Sequence, residues 1–160
     1  PTTQIYTLSL HDALPILAHL RGAKLYNVDN RDSIISKDSF RFIKLEEDTK
    51  STIFTALLAY IVQKKLVNAD FIAKYTEGYL ALEEWATEQN PNKMLADSGC
   101  TIEDLAELAE SYTKSKNALI VIGSKRLQPE SARILATIAA ITGKIGLPRQ
   151  IGRASCRVTV

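Results

Sequence analysis

A run of five consecutive apolar residues, Ala118 to Ile122 (ALIVI), constrains the fold of this 160-residue chain more than any other segment. Side chains of a β-strand point alternately to two faces, so a strand that is apolar at every position is expected to be covered on both. Such strands occur in parallel sheets with helices on both faces. The run therefore predicts a buried parallel strand and, with it, an α/β domain.

Around this run the sequence predicts two further strands, three long helices and two shorter helices, one capped by Asn68 and ended by Gly78 and the other at 80–87. The helices are identified by apolar residues that recur every three or four positions. Two of the long helices have a recognisable start. Thr101, with Asp104 three positions later, is typical of a helix cap, and Pro129 is expected at the first helical position of the last helix. The polar segment 89–100 is predicted to be a loop. The strands are expected at 24–28 and 41–45, and the helices at 51–65, 102–113 and 129–142.

The composition is that of a globular protein without a strongly charged partner. Hydrophobic residues make up 46% and charged residues 24% of the chain, and the formal net charge is +2. This near neutrality gives no electrostatic reason to expect nucleic acid or an anionic membrane as a partner. No apolar run approaches the roughly 20 residues that cross a bilayer. No direct membrane insertion is therefore expected, and a cytoplasmic location is the default.

Cysteine and histidine are too few and too dispersed to suggest a metal site. The two cysteines, Cys100 and Cys156, are far apart, and the two histidines are His11 and His19. Their spacing matches neither a disulfide framework nor the ligand sets of zinc or iron–sulfur centres. Cys100 could be a thiolate ligand, but a plain residue flanking a helix is the favoured interpretation. We expect no catalytic residue and no bound metal in this chain by itself.

The two ends of the chain differ in character from its middle. Residues 1–16 (PTTQIYTLSLHDALPI) lack the basic region and cleavage site of a signal peptide. They closely resemble sequencing-adapter DNA translated in frame, and residues 151–160 (IGRASCRVTV) resemble the adapter product of the opposite end. We expect both tails to be non-native. The native piece is then 17–150, an incomplete domain.

Polar residues that directly follow predicted strands are the candidates for a binding site. Asp29 and Arg31 follow the first strand, and Gly123 and Ser124 follow the run 118–122. Ligands of open α/β sheets bind beyond the carboxyl ends of strands. A carboxylate there accepts from ribose or a guanine edge, an arginine holds phosphate, and glycine permits close approach. The alternatives are a capped turn with a surface ion pair at the first position and an ordinary turn at the second.

Four segments together resemble the molybdopterin oxidoreductase family, in the family's order and spacing over all of 17–150. The first is similar to its R-x-G-A-K strand followed by D-P-R, and the second to its F-I-x-x-x-T-E-G-F/Y helix region. The third resembles its entry into a strand, and the last its L-T-G-N-I-G-x-P signature. The segments are RGAKLYNVDNR at 21–31, ALLAYIVQKKLVNADFIAKYTEGY at 56–79, IEDLAELAESYTKSKNALIVIG at 102–123 and LATIAAITGKIGLP at 135–148.

The resemblance implies a Rossmann-like parallel sheet with helices on both faces. In formate dehydrogenase alpha subunits and the large iron–sulfur subunit of NADH-quinone oxidoreductase, this domain helps to hold a molybdopterin guanine dinucleotide. Asp29 matches the aspartate of the D-P-R turn, which contacts the guanosine end, and Arg31 matches its arginine. Iron–sulfur clusters are implied for the parent protein and none for this piece. The implied partners are the rest of its own large subunit and other redox subunits.

Two departures from the family pattern weaken the expected cofactor site. Asn30 replaces the proline of D-P-R, and Glu47-Asp48-Thr49-Lys50 replaces the usual P-G-T-D after the second strand. Carboxylates beside a pyrophosphate repel it, and without glycine the close approach is lost. Two hypotheses follow. The parent is a molybdenum enzyme such as a formate dehydrogenase, or it is an electron-transfer or scaffold subunit of the NADH-quinone oxidoreductase type that has kept the fold without the cofactor.

Overall fold

The computed structural model describes residues 20–122 and 128–145, which form a mixed structure of helices and strands with helices predominant. Within these residues two short strands precede most of the helices. The strands are β1 (Tyr26–Asp29) and β2 (Arg41–Lys44), and the helices are α1 (Ile34–Asp38), α2 (Lys50–Gln63), α3 (Ala69–Tyr75), α4 (Tyr79–Glu88), α5 (Pro91–Met94), α6 (Ile102–Lys114) and α7 (Pro129–Ile141).

The two strands pair in parallel, with Tyr26 opposite Arg41 and Asp29 opposite Lys44. The N–H of Leu45 donates to the carbonyl of Asp29 at 3.0 Å and continues the pairing by one residue. Parallel pairing requires the chain to cross from the end of β1 to the start of β2, and α1 makes this crossing. Both carboxyl ends therefore lie at one edge of the sheet.

The core is built around α2, because this helix is apolar on most of its surface. It packs against α4, α5, α6 and α7. Burial removes these side chains from water and stabilises the fold by about 1.5–3 kcal/mol for each large apolar residue, and by less for each alanine. The fully buried or nearly buried residues of α2 are Ile53, Phe54, Ala56, Leu57, Leu58, Ala59, Ile61 and Val62.

The expected strands and long helices near residues 24–65, 102–113 and 129–142 are confirmed, with boundaries shifted by at most two residues. Thr101 caps α6 by accepting a hydrogen bond from the N–H of Asp104 at 3.1 Å, and Pro129 occupies the first turn of α7. Local capping chemistry explains why these starts were readable from the sequence. No helix in the described part of the chain combines the length and apolar character that crossing a bilayer requires.

The prediction of a buried strand at 118–122 is wrong. The segment forms no strand, and Leu119, Val121 and Ile122 are 64%, 62% and 49% exposed. The sheet of the described residues contains β1 and β2 and no third strand. An apolar run favours burial, but burial also requires a surface that covers the run. In the described residues no such surface lies on both of its faces.

Two short helices were missed. Ser33 begins α1 through a reciprocal pair of side-chain hydrogen bonds with Ser36. Asn90 begins α5, inside the predicted loop 89–100, by accepting from the N–H of Lys93 at 3.2 Å. Neither helix spans two full turns, so neither shows an apolar periodicity that a sequence search detects.

Candidate functional site

The candidate site is the edge of the sheet where both parallel strands end. Asp29 is the last residue of β1 and Lys44 the last residue of β2, and α2 begins six residues later at Lys50. The chain thus brings one carboxylate and two ammonium groups to the same edge. This is the location at which open α/β sheets bind their ligands.

A single oxygen of Asp29 accepts two hydrogen bonds. The backbone N–H of Asn30 donates to Oδ1 at 2.8 Å, and the Lys50 Nζ lies 2.6 Å from the same atom. The two side chains of the ion pair are 40% exposed for Asp29 and 31% exposed for Lys50. Partial exposure limits such a pair to about 1 kcal/mol. Oδ2 accepts no hydrogen bond from any residue in the described ranges.

Both donors to Asp29 Oδ1 come from positions that depart from the family pattern. Asn30 stands where the D-P-R motif has proline, which has no N–H to donate. Lys50 stands where the P-G-T-D motif has its aspartate, so the charge at that position is reversed. Both departures are visible in the sequence, but only in the folded chain do the donors at these two positions reach the same oxygen atom.

Arg31 lies exposed in the turn after β1. It forms neither an ion pair nor a hydrogen bond with another residue that the structure describes, so its guanidinium is available to a phosphate. Next to it, Asp32 pairs with Lys44 at 2.8 Å. The hydrogen bond from Lys44, followed by its positive charge, lowers the pKa of the Asp32 carboxyl. Lys44 and Lys50 are the site residues that the sequence did not single out as ligand candidates.

The turn between β2 and α2 keeps an unusual backbone conformation. Asp48 has a φ of +60°, in the left-handed region that glycine adopts without strain. By the resemblance, Asp48 occupies the glycine position of P-G-T-D, so the turn retains a glycine-like shape with a carboxylate in place of hydrogen. Glu46, Glu47 and Asp48 are all exposed there. Their negative charges oppose a pyrophosphate at this turn.

The remaining candidate residues, Gly123, Ser124 and Cys100, add no contact to the site that the structure describes. Gly123 and Ser124 lie outside the described residues, so their expected convergence with Asp29 and Arg31 stays a prediction. Cys100 is buried, and this burial raises the pKa of its thiol to about 11. A neutral buried thiol is a poor metal ligand. Across residues 20–122 and 128–145, no cluster of three or more His, Cys, Asp or Glu side chains could hold a metal ion.

The residues at the edge fit the guanosine end of the implied cofactor in part. Arg31 offers donors for phosphate, and Asp29 retains Oδ2 as an acceptor for a ribose hydroxyl or a base N–H. The other oxygen is occupied by Asn30 and Lys50. The edge therefore has one open acceptor where a bidentate contact needs two.

Comparison with known proteins identifies relatives over most of the chain. The chain is 27% identical over 130 residues to the F420-dependent formate dehydrogenase subunit alpha of Methanocaldococcus jannaschii, covering 79% of this chain and 19% of that protein. It is 24% identical over 147 residues to formate dehydrogenase H of Escherichia coli, covering 86% and 21%. No family model matches the chain.

A solved structure supports the fold. Acetylene hydratase from Pelobacter acetylenicus superposes with a TM-score of 0.76 at 22% sequence identity, over 87% of this chain and 20% of that one. The chain thus spans about a fifth of the length of the curated relatives and of the structure that it matches. Its homologues are molybdopterin oxidoreductases, matched at low identity and over part of their length, which confirms the resemblance found in the four sequence segments.

Proposed function

We propose that this chain is part of the large subunit of an oxidoreductase that depends on molybdopterin guanine dinucleotide, such as a formate dehydrogenase. The observation that carries the proposal is the position of Asp29 and Arg31 at the carboxyl end of a parallel strand. The resemblance assigns the guanosine end of the cofactor to these two positions. Formate dehydrogenases among the relatives, matched over about four fifths of the chain, support the choice of enzyme.

In the parent, this domain would be a Rossmann-like unit that holds one end of the cofactor. Asp29 would accept from the nucleoside and Arg31 would donate to phosphate, with Gly123 and Ser124 approaching from the loop after 118–122. The bound cofactor supplies molybdenum, which exchanges two electrons with the substrate. Iron–sulfur clusters elsewhere in the parent and other redox subunits would then carry the electrons onward. The location would be cytoplasmic.

The exposed apolar run 118–122 fits a role as part of a larger domain. Leu119 and Val121 are both more than 60% exposed, and the relatives contain about five times as much chain. In the Rossmann-like arrangement proposed here, these side chains would be covered by parts of the large subunit outside this chain. Covering them would give the run the buried strand environment that its composition favours.

The test uses the parent subunit. We expect the purified large subunit that contains this chain to hold molybdenum and a pterin guanine nucleotide near one equivalent each. We also expect formate-dependent reduction of a dye, with formate losing two electrons and a proton to yield carbon dioxide. A parent that holds neither molybdenum nor pterin when expressed with active cofactor synthesis would contradict the proposal.

A second candidate function is a cofactor-free scaffold or electron-transfer subunit of the NADH-quinone oxidoreductase type. The observation in its favour is the occupation of Asp29 Oδ1 by Lys50 and Asn30. Glu47 and Asp48 at the adjoining turn add charges that disfavour a pyrophosphate. This candidate predicts iron–sulfur clusters without molybdenum in the parent, whereas the first predicts molybdenum.

We further propose that residues 1–16 and 151–160 are adapter-derived and contribute nothing to function. The support is the resemblance of both segments to translated adapter sequence. The functional unit would then be 17–150, the range over which the family resemblance extends.

A further inference from the structure

We infer that Lys50 competes with the nucleotide for Asp29 and thereby weakens guanosine binding at this edge. The inference rests on the proposed function, because it takes Asp29 to be the nucleoside-contacting carboxylate. Lys50 is in this view a specificity-determining residue of the edge. It lowers affinity for any ligand that must donate to both oxygens of Asp29.

The hydrogen-bond capacity of the carboxylate supports competition. A carboxylate oxygen has about two lone-pair sites, and Oδ1 already receives Asn30 N at 2.8 Å and Lys50 Nζ at 2.6 Å. A guanine edge or a ribose diol that donates two parallel hydrogen bonds must use both oxygens. One donor must then leave Oδ1, and the flexible Lys50 side chain leaves more readily than a backbone N–H.

The exposure of the pair allows the competition to be observed. Lys50 is 31% exposed and Asp29 is 40% exposed, so water and ligand both reach the carboxylate. An ion pair of this kind weakens a competing ligand by about fivefold, which is close to 1 kcal/mol. The predicted effect is therefore a change in affinity and not an absolute block.

Electrostatics makes the test selective. Replacing Lys50 with alanine removes a positive charge from an edge that also carries Glu46, Glu47 and Asp48. Charge alone therefore predicts weaker binding of an anionic nucleotide to the variant. Competition for Asp29 predicts the opposite, and tighter binding cannot be a simple charge effect.

The experiment is a titration of the full 160-residue chain with guanosine monophosphate, followed through backbone amide resonances. Three proteins are compared: the unmodified chain, Lys50→Ala, and the matched control Lys44→Ala. Lys44 has the same charge at the same edge but pairs with Asp32 at 2.8 Å. We expect Lys50→Ala to bind about fivefold more tightly than the unmodified chain, and Lys44→Ala to bind no more tightly.

Three results would overturn the inference: equal or weaker binding by Lys50→Ala, an equal gain in Lys44→Ala, or no saturable binding by any of the three proteins at millimolar nucleotide. Lys50→Met, which retains most of the side-chain stem, replaces Lys50→Ala if the alanine variant loses its folded amide spectrum. Repeating the titration with uncharged guanosine removes phosphate repulsion from the comparison. If the parent holds molybdenum but the titration gives one of these three results, this inference is contradicted and the proposed function is not.

Discussion

Gly99 lies against the carbonyl oxygen of Lys44, so close that a Cβ atom on Gly99 would be 2.8 Å from it. The contact joins the segment before α6 to the end of β2. It is reinforced nearby by the N–H of Glu46, which donates to the carbonyl of Ser98 at 3.0 Å. The chain closes tightly here because glycine adds no side chain.

Gly99→Ala is expected to destabilise the protein by about 2–4 kcal/mol, since the new methyl group meets backbone at a left-handed residue. Gly78→Ala is the matched control, because Gly78 has the same φ of +77° and its Cβ would meet nothing within 4 Å. The control should lose only about 1 kcal/mol. Urea unfolding measures the free energy of unfolding of both variants. Equal losses would mean that the close approach of the new methyl group to the Lys44 carbonyl does not destabilise Gly99→Ala.

Leu105→Ala is expected to lower the free energy of unfolding by about 3 kcal/mol, because Leu105 is 0% exposed and its truncation leaves a cavity. Leu119→Ala should change it by no more than about 0.5 kcal/mol, because Leu119 is 64% exposed. Chemical denaturation of both variants checks the pair. A large loss of unfolding free energy in Leu119→Ala would contradict the exposure of Leu119 and favour the buried strand that the sequence predicted at 118–122.

Asp48→Gly is expected to stabilise the protein by about 1 kcal/mol, because φ is +60° at Asp48 and glycine relieves the strain there. Asp48→Ala removes the same carboxylate without relieving the backbone and should give no gain. The shift in midpoint of thermal unfolding compares the two. Equal stabilisation by both variants would mean that loss of the Asp48 carboxylate, and not relief of backbone strain, stabilises the protein.

The Cys100 thiol should resist alkylation in the folded protein. Burial raises its pKa to about 11, so only about a thousandth is ionised near pH 8. A Cys156→Ser background isolates the signal, and iodoacetamide labelling in urea provides the unfolded reference. Labelling at the same rate in folded and unfolded protein would refute the burial.

The raised Cys100 pKa also sets the sign of a pH dependence. The unfolded thiol ionises from about pH 8.5, while the folded thiol keeps its proton until about pH 11. The folded state thus binds more protons in this window, and its stability should fall as pH rises through it. Cys100→Ala should lack this thiol-dependent fall in stability when its free energy of unfolding is measured over the same pH window.

The proposed adapter origin of residues 1–16 and 151–160 predicts that removing both segments leaves the unfolding midpoint unchanged, because such residues would not have been selected to pack with the rest. Thermal unfolding of 17–150 beside the full chain measures the difference. A drop of several degrees would show that at least one tail belongs to the fold.

Local features of the sequence were sufficient to place the long elements. The periodicity of α2, the Thr101 cap of α6 and Pro129 at the start of α7 involve interactions among residues that are close in the chain. Helix periodicity and capping depend on such short-range contacts, so they are visible before folding. The short helices α1 and α5 lack that periodicity and were found only in the folded chain.

The sequence by itself indicated the resemblance to molybdopterin oxidoreductases, the parallel α/β character, and Asp29 and Arg31 as polar residues after the first strand. Only the tertiary structure decided what Asp29 contacts, because Lys50 is 21 residues away and reaches it after β1 and β2 align. It also decided that 118–122 is exposed. Apolar composition records a preference for burial, but whether a segment is buried depends on the surfaces that fold around it.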